Sequence, residues 1–163
     1  MRSNCRVAAV LVAAVLLTGC AGWQTFPPAS GETFFDPSIQ PVPEMMATAI
    51  RASLDKSSAR ELPVRFNLPP GAKDITWIKV REFLGGDARP ATEGEHNFAT
   101  VEQVRLDGGI GQVDVVVPQG EHYQLFTVHM RGGALSKWRV ETVQPWTLRI
   151  NPPKVNDPVG TGY

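Results

Sequence analysis

Polar and apolar positions change period several times along this chain, and each change predicts an element. Residues 7–17 are an unbroken apolar run, Val7 to Leu17, behind a short basic start with Arg2 and Arg6. From Ala21 to Val42 the pattern dissolves into Pro, Gly and polar residues, with Pro27, Pro28, Pro37 and Pro41. That composition buries little and predicts a semi-extended tether, reaching on the order of 60 Å at the polyproline rise. Trp23, Phe26, Phe34 and Phe35 within it predict that part of the tether folds back or lies on an apolar surface.

Pro43 to Lys56 has helical spacing. Met46, Ile50 and Leu54 recur at intervals of four beside Ala49 and Ser53, while Arg51, Asp55 and Lys56 fall elsewhere on the wheel. Pro43 suits a first turn and Glu44 complements the positive helix end. Leu62, Val64, Phe66 and Leu68 then alternate as a strand, ended by Pro69-Pro70-Gly71. Asp74 is placed to cap a second helix, Ile75 to Leu84, with Gly85 as its left-handed stop. The competing pattern is a strand through Ile75–Val80, and the two stop signals favour the helix. Gly86 to Asn97 reads as a long surface loop.

Four alternating segments follow: Val101–Asp107, Ile110–Val117, Glu121–Met130 and Leu135–Val143. Gly108-Gly109, Pro118-Gln119-Gly120 and Gly132-Gly133 join them, predicting a four-stranded antiparallel meander. Loops of two, three and two residues pair Val104 with Val113, Glu102 and Tyr123 with Val115, and Leu125 with Val140. One face then gathers Val104, Leu106, Val113, Val115, Val117, Tyr123, Leu125, Trp138 and Val140. The other gathers Gln103, Arg105, Gln112, Asp114, His122, Gln124, Arg139 and Glu141, with Phe126 and Val128 among them. The apolar face needs a cover, and the two helices supply it, so the fold class is α+β in two layers. After Trp146 the chain leaves through Asn151-Pro152-Pro153 and Asp157-Pro158 as a mostly disordered tail. The expected division is 1–19 signal, 20–42 anchor and tether, 43–146 folded domain, 147–163 tail.

A positive end, an apolar middle and small residues at the cut make a secretory signal. The eleven-residue run is too short for a permanent span. Leu17-Thr18-Gly19-Cys20 resembles the lipobox of bacterial lipoproteins. That resemblance implies cleavage between Gly19 and Cys20, diacylation of Cys20, and membrane attachment through the N-terminal lipid. Each buried methylene adds roughly 0.8 kcal/mol, so two or three acyl chains hold firmly. Ala21, where an aspartate often retains Gram-negative lipoproteins in the inner membrane, implies passage to the outer membrane, facing the periplasm.

Removing residues 1–19 leaves 144 residues, enough for one domain, with 14 basic against 16 acidic side chains. That balance argues against nucleic acid as a partner. Cys5 departs with the signal and Cys20 is committed to lipid, so no disulfide is expected and the fold rests on its core.

The order helix, strand, helix, then four antiparallel strands resembles the later part of the NTF2-like cone fold over Pro43 to Trp146. Val128, Trp138-Arg139-Val140 and Trp146 stand where its closing strands would be. The resemblance implies a curved sheet and helices enclosing a pocket, used for catalysis in some members and for binding or assembly in many. The first half here is short, and no His/Asp pair stands within the apolar face.

No nucleophile elbow, zincin helix, phosphate-binding loop or paired-cysteine motif occurs. Gly109-Ile110-Gly111 begins like a dinucleotide fingerprint but sits in a hairpin. His122 and His129 are seven positions apart on one strand and face oppositely, so they share no ligand site. His96, beside Glu95, lies in the long loop. No metal or cofactor is expected. Asp114, His122, Gln124, Gln103 and Glu141 share the polar face, and His122 with Asp114 is the best acid–base pairing on offer; a solvated outer face with cross-strand charge and amide pairs is the favoured explanation of them. Trp77, Trp138, Trp146 and Tyr123 could form a ligand platform or simply fill the core, and Tyr123, Trp138 and Trp77 are the candidate ligand-binding residues. The expectation is a non-enzymatic, lipid-anchored envelope module that binds a protein partner or a small apolar ligand. The alternative is a small hydrolase or isomerase with its site in an NTF2-like cone pocket, where Tyr123 and Thr127 are the polar candidates.

Overall fold

The computed structural model describes residues 22–28, 33–57, 63–133 and 136–157. The signal, Gly19 and Cys20 lie outside them, as does Leu62, the first residue of the first predicted strand. Among the described residues the chain is α+β: one mixed sheet of eight strands with two helices against it.

Helix α1 spans Val42–Lys56, with Pro43 in its first turn beside Glu44 and with Lys56 in its last. It lies across the four long strands and buries Met45, Met46, Ala49, Ile50 and Ser53 against them. Helix α2 spans Asp74–Leu84. Asp74 is its first helical residue rather than its cap; Lys73 holds that position without a side-chain bond, so the acidic group acts on the helix dipole. Gly85, at φ 62°, ends the helix in a conformation that a Cβ would oppose. Helix α2 packs on α1, and the Arg51 guanidinium of α1 bonds the Leu84 carbonyl, meeting the negative end of α2. Trp77 and Val80 point inward, and the Trp77 ring lies 5.7 Å from that of Phe66. Ile75, Ile78 and Phe83 stay exposed on the far side.

The meander comprises β5 (Ala99–Asp107), β6 (Ile110–Gln119), β7 (His122–Gly133) and β8 (Ser136–Ile150). Short strands complete the sheet: β1 (Gln24–Phe26), β2 (Thr33–Phe34), β3 (Arg65–Asn67) and β4 (Arg89–Pro90). The free edge of β5 is shared. Strand β1 pairs antiparallel at Val104–Leu106, and β3 pairs parallel at Ala99–Thr100. The tether is therefore partly sheet, with Phe26 buried in the core. The predicted loop 86–97 likewise contributes β4 beside β3 and buries Ala88 and Ala91.

Register agrees with the sequence pattern in one hairpin and departs from it in the next two. Asp107 pairs with Ile110 and Val104 with Val113, as two-residue Gly108-Gly109 requires. A bulge then frees Glu102, and Val101, not Glu102, opposes Val115. At the second hairpin Pro118 and Gln119 belong to β6, leaving Gly120-Glu121 as the turn, with Gly120 at φ 63°. Val115 thus faces Phe126 rather than Tyr123. The parity change turns β7 over: Phe126, Val128 and Met130 enter the core, while Tyr123, Leu125 and Thr127 face outward. Val140 accordingly opposes Met130, not Leu125. Burying three large apolar side chains in place of Tyr123 and Leu125 is the physical reason. Pro118 is tolerated because the β5 ladder ends at Thr100–Val116, so only β7 flanks it.

Strand β8 also outruns the predicted boundary, continuing to Ile150. Residues 151–157 follow as an extended segment tied to Asn67, so the tail is ordered through Asp157. Among the described residues no helix is long and apolar enough to cross a membrane.

Candidate functional site

The first α1 turn, the start of β1 and the β5–β6 turn leave a cleft at one end of the sheet, with the ends of β7 and β8 closing its other side. Its volume is about 880 Å³, within the range of small-molecule sites. Pro41, Leu106 and Trp138 form its apolar walls, Glu44 and Lys137 bring opposite charges, and Gly22 lies at its edge.

Trp138 is held there by close packing. An ideal Cβ on Gly132 would sit 2.5 Å from its Cδ2, and one on Gly111 would sit 2.9 Å from its Cζ3. Met45 of α1 closes the same space, since its Cε would overlap a Cβ at Gly111 outright. Two glycines on adjacent strands thus make the slot in which the indole lies, leaving it 9% exposed at the cleft wall. Sequence reading takes Gly132 for a turn residue, yet it lies within β7 and its role is this close approach.

The other aromatic candidates are elsewhere. Trp77 is buried in α2, its Nε1 donating to the Ala72 carbonyl at 3.2 Å. Tyr123 is on the opposite sheet face, where its hydroxyl accepts from the Asn97 amide at 3.4 Å and its ring lies 6.3 Å from Phe98. Trp146 is on that outer face too, its Nε1 donating to Thr127 Oγ1 at 2.9 Å. The four rings form no common platform.

The outer face carries a continuous polar chain. Both Asp114 oxygens accept from Arg105 Nη2, at 2.9 and 2.8 Å, and Oδ1 also accepts from Thr127 Oγ1 at 2.6 Å. Gln103 and Gln112 accept from the remaining Arg105 nitrogens, at 2.8 and 3.1 Å. Asp114 is thereby fully engaged and does not hold His122. The shifted register puts His122 opposite Gln119 and sends Asp114 and His122 to opposite faces, so the acid–base pairing is not formed. Gln103, Arg105, Gln112 and Asp114 share a face as their alternation predicts. Thr127 and Trp146 were missed as members of this chain because their places depend on the register of β7 and the length of β8.

The bulge leaves Glu102 beside this chain, at the edge of a groove of about 530 Å³ that also touches Leu125 and Ile150. Partial desolvation, then repulsion from Asp114, raises the Glu102 carboxyl above its ordinary value. In the 89–96 loop the opposite holds: Glu95 pairs with Arg89 and accepts from the Thr92 amide, and its carboxyl falls to about 2. Asp36 is lowered as well, chiefly by the Ser38 backbone amide at 2.9 Å. Among the described residues no three His, Cys, Asp or Glu side chains gather as metal ligands. His96 is exposed, and His129 stands opposite Gln112 on the outer face.

The chain matches no family model, no curated protein and no solved structure, so the reading of the site rests on its own geometry.

Proposed function

We propose that this chain is a lipid-anchored protein of the bacterial cell envelope, attached through Cys20 and without catalysis of its own, whose domain binds a small amphipathic ligand in the Trp138 cleft. The cleft carries this reading. It pairs apolar walls from Pro41, Leu106 and Trp138 with one carboxylate and one ammonium, which suits a ligand with an apolar body and a polar end. Its edge at Gly22 is two residues from Cys20, a span of at most about 7 Å of extended chain. A ligand taken from the membrane surface would meet it directly.

The test places a photo-crosslinking residue at Lys137 in the cleft and, as control, at Glu82 on the exposed side of α2, in cells fed labelled palmitate. Label incorporation abolished by Cys20→Ala, with a small amphiphile captured at 137 and not at 82, is the expected result. Capture of one protein at 137 would replace the ligand by a protein partner. No capture at 137, or label retained in Cys20→Ala, would defeat the proposal.

A second reading, a hydrolase or isomerase, has one observation in its favour: Glu102, its carboxyl raised, stands beside Asp114 in a groove on the opposite face. Tyr123 and Thr127, the polar candidates for a cone pocket, are both committed to structural hydrogen bonds. This reading requires an activity that Glu102→Gln abolishes without lowering the melting temperature.

A further inference from the structure

Asn67 ends β3 with its side chain wholly buried; besides a long contact from Nδ2 to Thr100 Oγ1 at 3.4 Å, its amide is spent on a segment almost ninety residues away. Nδ2 donates to the Lys154 carbonyl at 2.9 Å, and Oδ1 accepts from the Asn156 amide at 3.0 Å. One carbonyl and one N–H flanking Val155 are what a residue of a neighbouring parallel strand would engage, so the Asn67 side chain imitates a strand. Asn156 answers with its own amide, Nδ2 donating to the Leu68 carbonyl at 3.0 Å. Beside this pairing Pro152, Pro153 and Val155 face the 93–98 loop across a space of about 310 Å³.

The segment is gripped by its main chain and one side chain, with little apolar burial; Asn151, Pro152, Lys154 and Asp157 are exposed. Such a segment opens more readily than the core strands. It follows β8 directly after Ile150, and Pro152-Pro153 keeps it extended without help from the domain. When it lifts away, the buried Asn67 amide loses two partners that only another extended backbone replaces well.

We infer that the Asn67 groove is a peptide-recognition site, and that its occupant in trans is the 152–157 segment of a second copy, so that two copies pair by exchanging C-terminal segments. The second copy is favoured because the groove already fits this sequence, Asn156 included. Exchange moves one short segment after β8 and leaves the described sheet and helices intact. The inference does not depend on the anchor or on the cleft.

The test mixes tagged and untagged full-length chains in detergent at rising concentration and measures how much untagged chain copurifies. Copurification should rise with concentration, fall about fivefold in Asn156→Ala, and vanish in a chain ending at Asn151. A peptide of residues 150–157 in excess should compete. Asn156→Ala leaves the buried Asn67 in place, so it keeps the test sound should the shortened chain fold poorly. Pairing absent at every concentration, or unchanged in the shortened chain as shared micelles would give, overturns the inference. Peptide binding without pairing of copies overturns it too, and assigns the groove to a segment of another protein.

Discussion

Gly132→Ala tests the packing that builds the cleft wall. The backbone at 132 has no positive φ, so alanine is allowed there, and removing glycine's freedom in the unfolded chain should by itself add about 0.5–1 kcal/mol of stability. Packing acts the other way. The new methyl would stand 2.5 and 2.6 Å from Trp138 Cδ2 and Cγ, and 2.9 Å from the backbone α-carbon of the same residue. Carbon atoms rest about 3.5–4.0 Å apart, so roughly 1 Å must be found. The indole cannot slide, because Gly111 and Met45 bound its far edge, and relieving the clash with the Trp138 backbone requires β8 itself to move. Overpacking of this kind costs about 3 kcal/mol, and expelling the ring would cost about as much as deleting it, 3–5 kcal/mol. The net loss is then about 2 kcal/mol, or a fall of about 6 °C in Tm at this chain length. Urea unfolding followed by circular dichroism measures it, as a lower midpoint at constant slope. In a Trp138→Ala background the penalty should shrink by at least about 1 kcal/mol, leaving the clash with the backbone at position 138 as the remainder. A cost below about 0.5 kcal/mol, or one equal in both backgrounds, would refute the slot.

Asp114→Asn removes the charge that holds Arg105 and weakens the Thr127 hydrogen bond. The pair is partly exposed, at 25% and 15%, so a loss of about 1–2 kcal/mol is expected, with a change in Trp146 fluorescence because its indole bonds the same Thr127; unchanged stability and emission would disprove the chain. Two carboxylates should act on opposite sides of the pH–stability curve. Glu95, lowered in the folded state, stabilises above its ordinary value near 4.5, and that stability is lost as pH falls towards about 2; Glu95→Gln should flatten this acid limb. Glu102 is raised when folded, so its contribution is present below the ordinary carboxylate value and lost as pH rises through the folded one. Glu102→Gln should therefore be the more stable chain at neutral pH, and equal pH profiles would contradict the assignment.

The local elements were legible. Met46 and Ile50 at helical spacing, Gly85 after Leu84, and Gly108-Gly109 between two alternating runs each carry their signal within a few residues, and the structure has α1, α2 and the β5–β6 hairpin there. The cleft was only partly legible. Trp138 stood out as a large aromatic on the apolar face, but Gly132 and Gly111 looked like turn or strand glycines because their partner is on another strand.

What the sequence by itself determined is the class of the domain, its two helices, its four long strands, the first hairpin's register, and the Leu17-to-Cys20 pattern on which the anchor proposal stands. Tertiary structure alone decided which way β7 faces. Pro118 and Gln119 have no local preference strong enough to say whether they end a strand or make a turn, and the choice falls to the burial of Phe126, Val128 and Met130 beneath α1. It also decided that Gln24–Phe26 joins the sheet and that residues 151–157 lie on Asn67. Those contacts pair segments some 80–90 residues apart: the first is a backbone ladder, which any sequence can make, and the second rests on the Asn67 and Asn156 side-chain amides, whose main-chain partners are too distant along the chain to leave a local pattern.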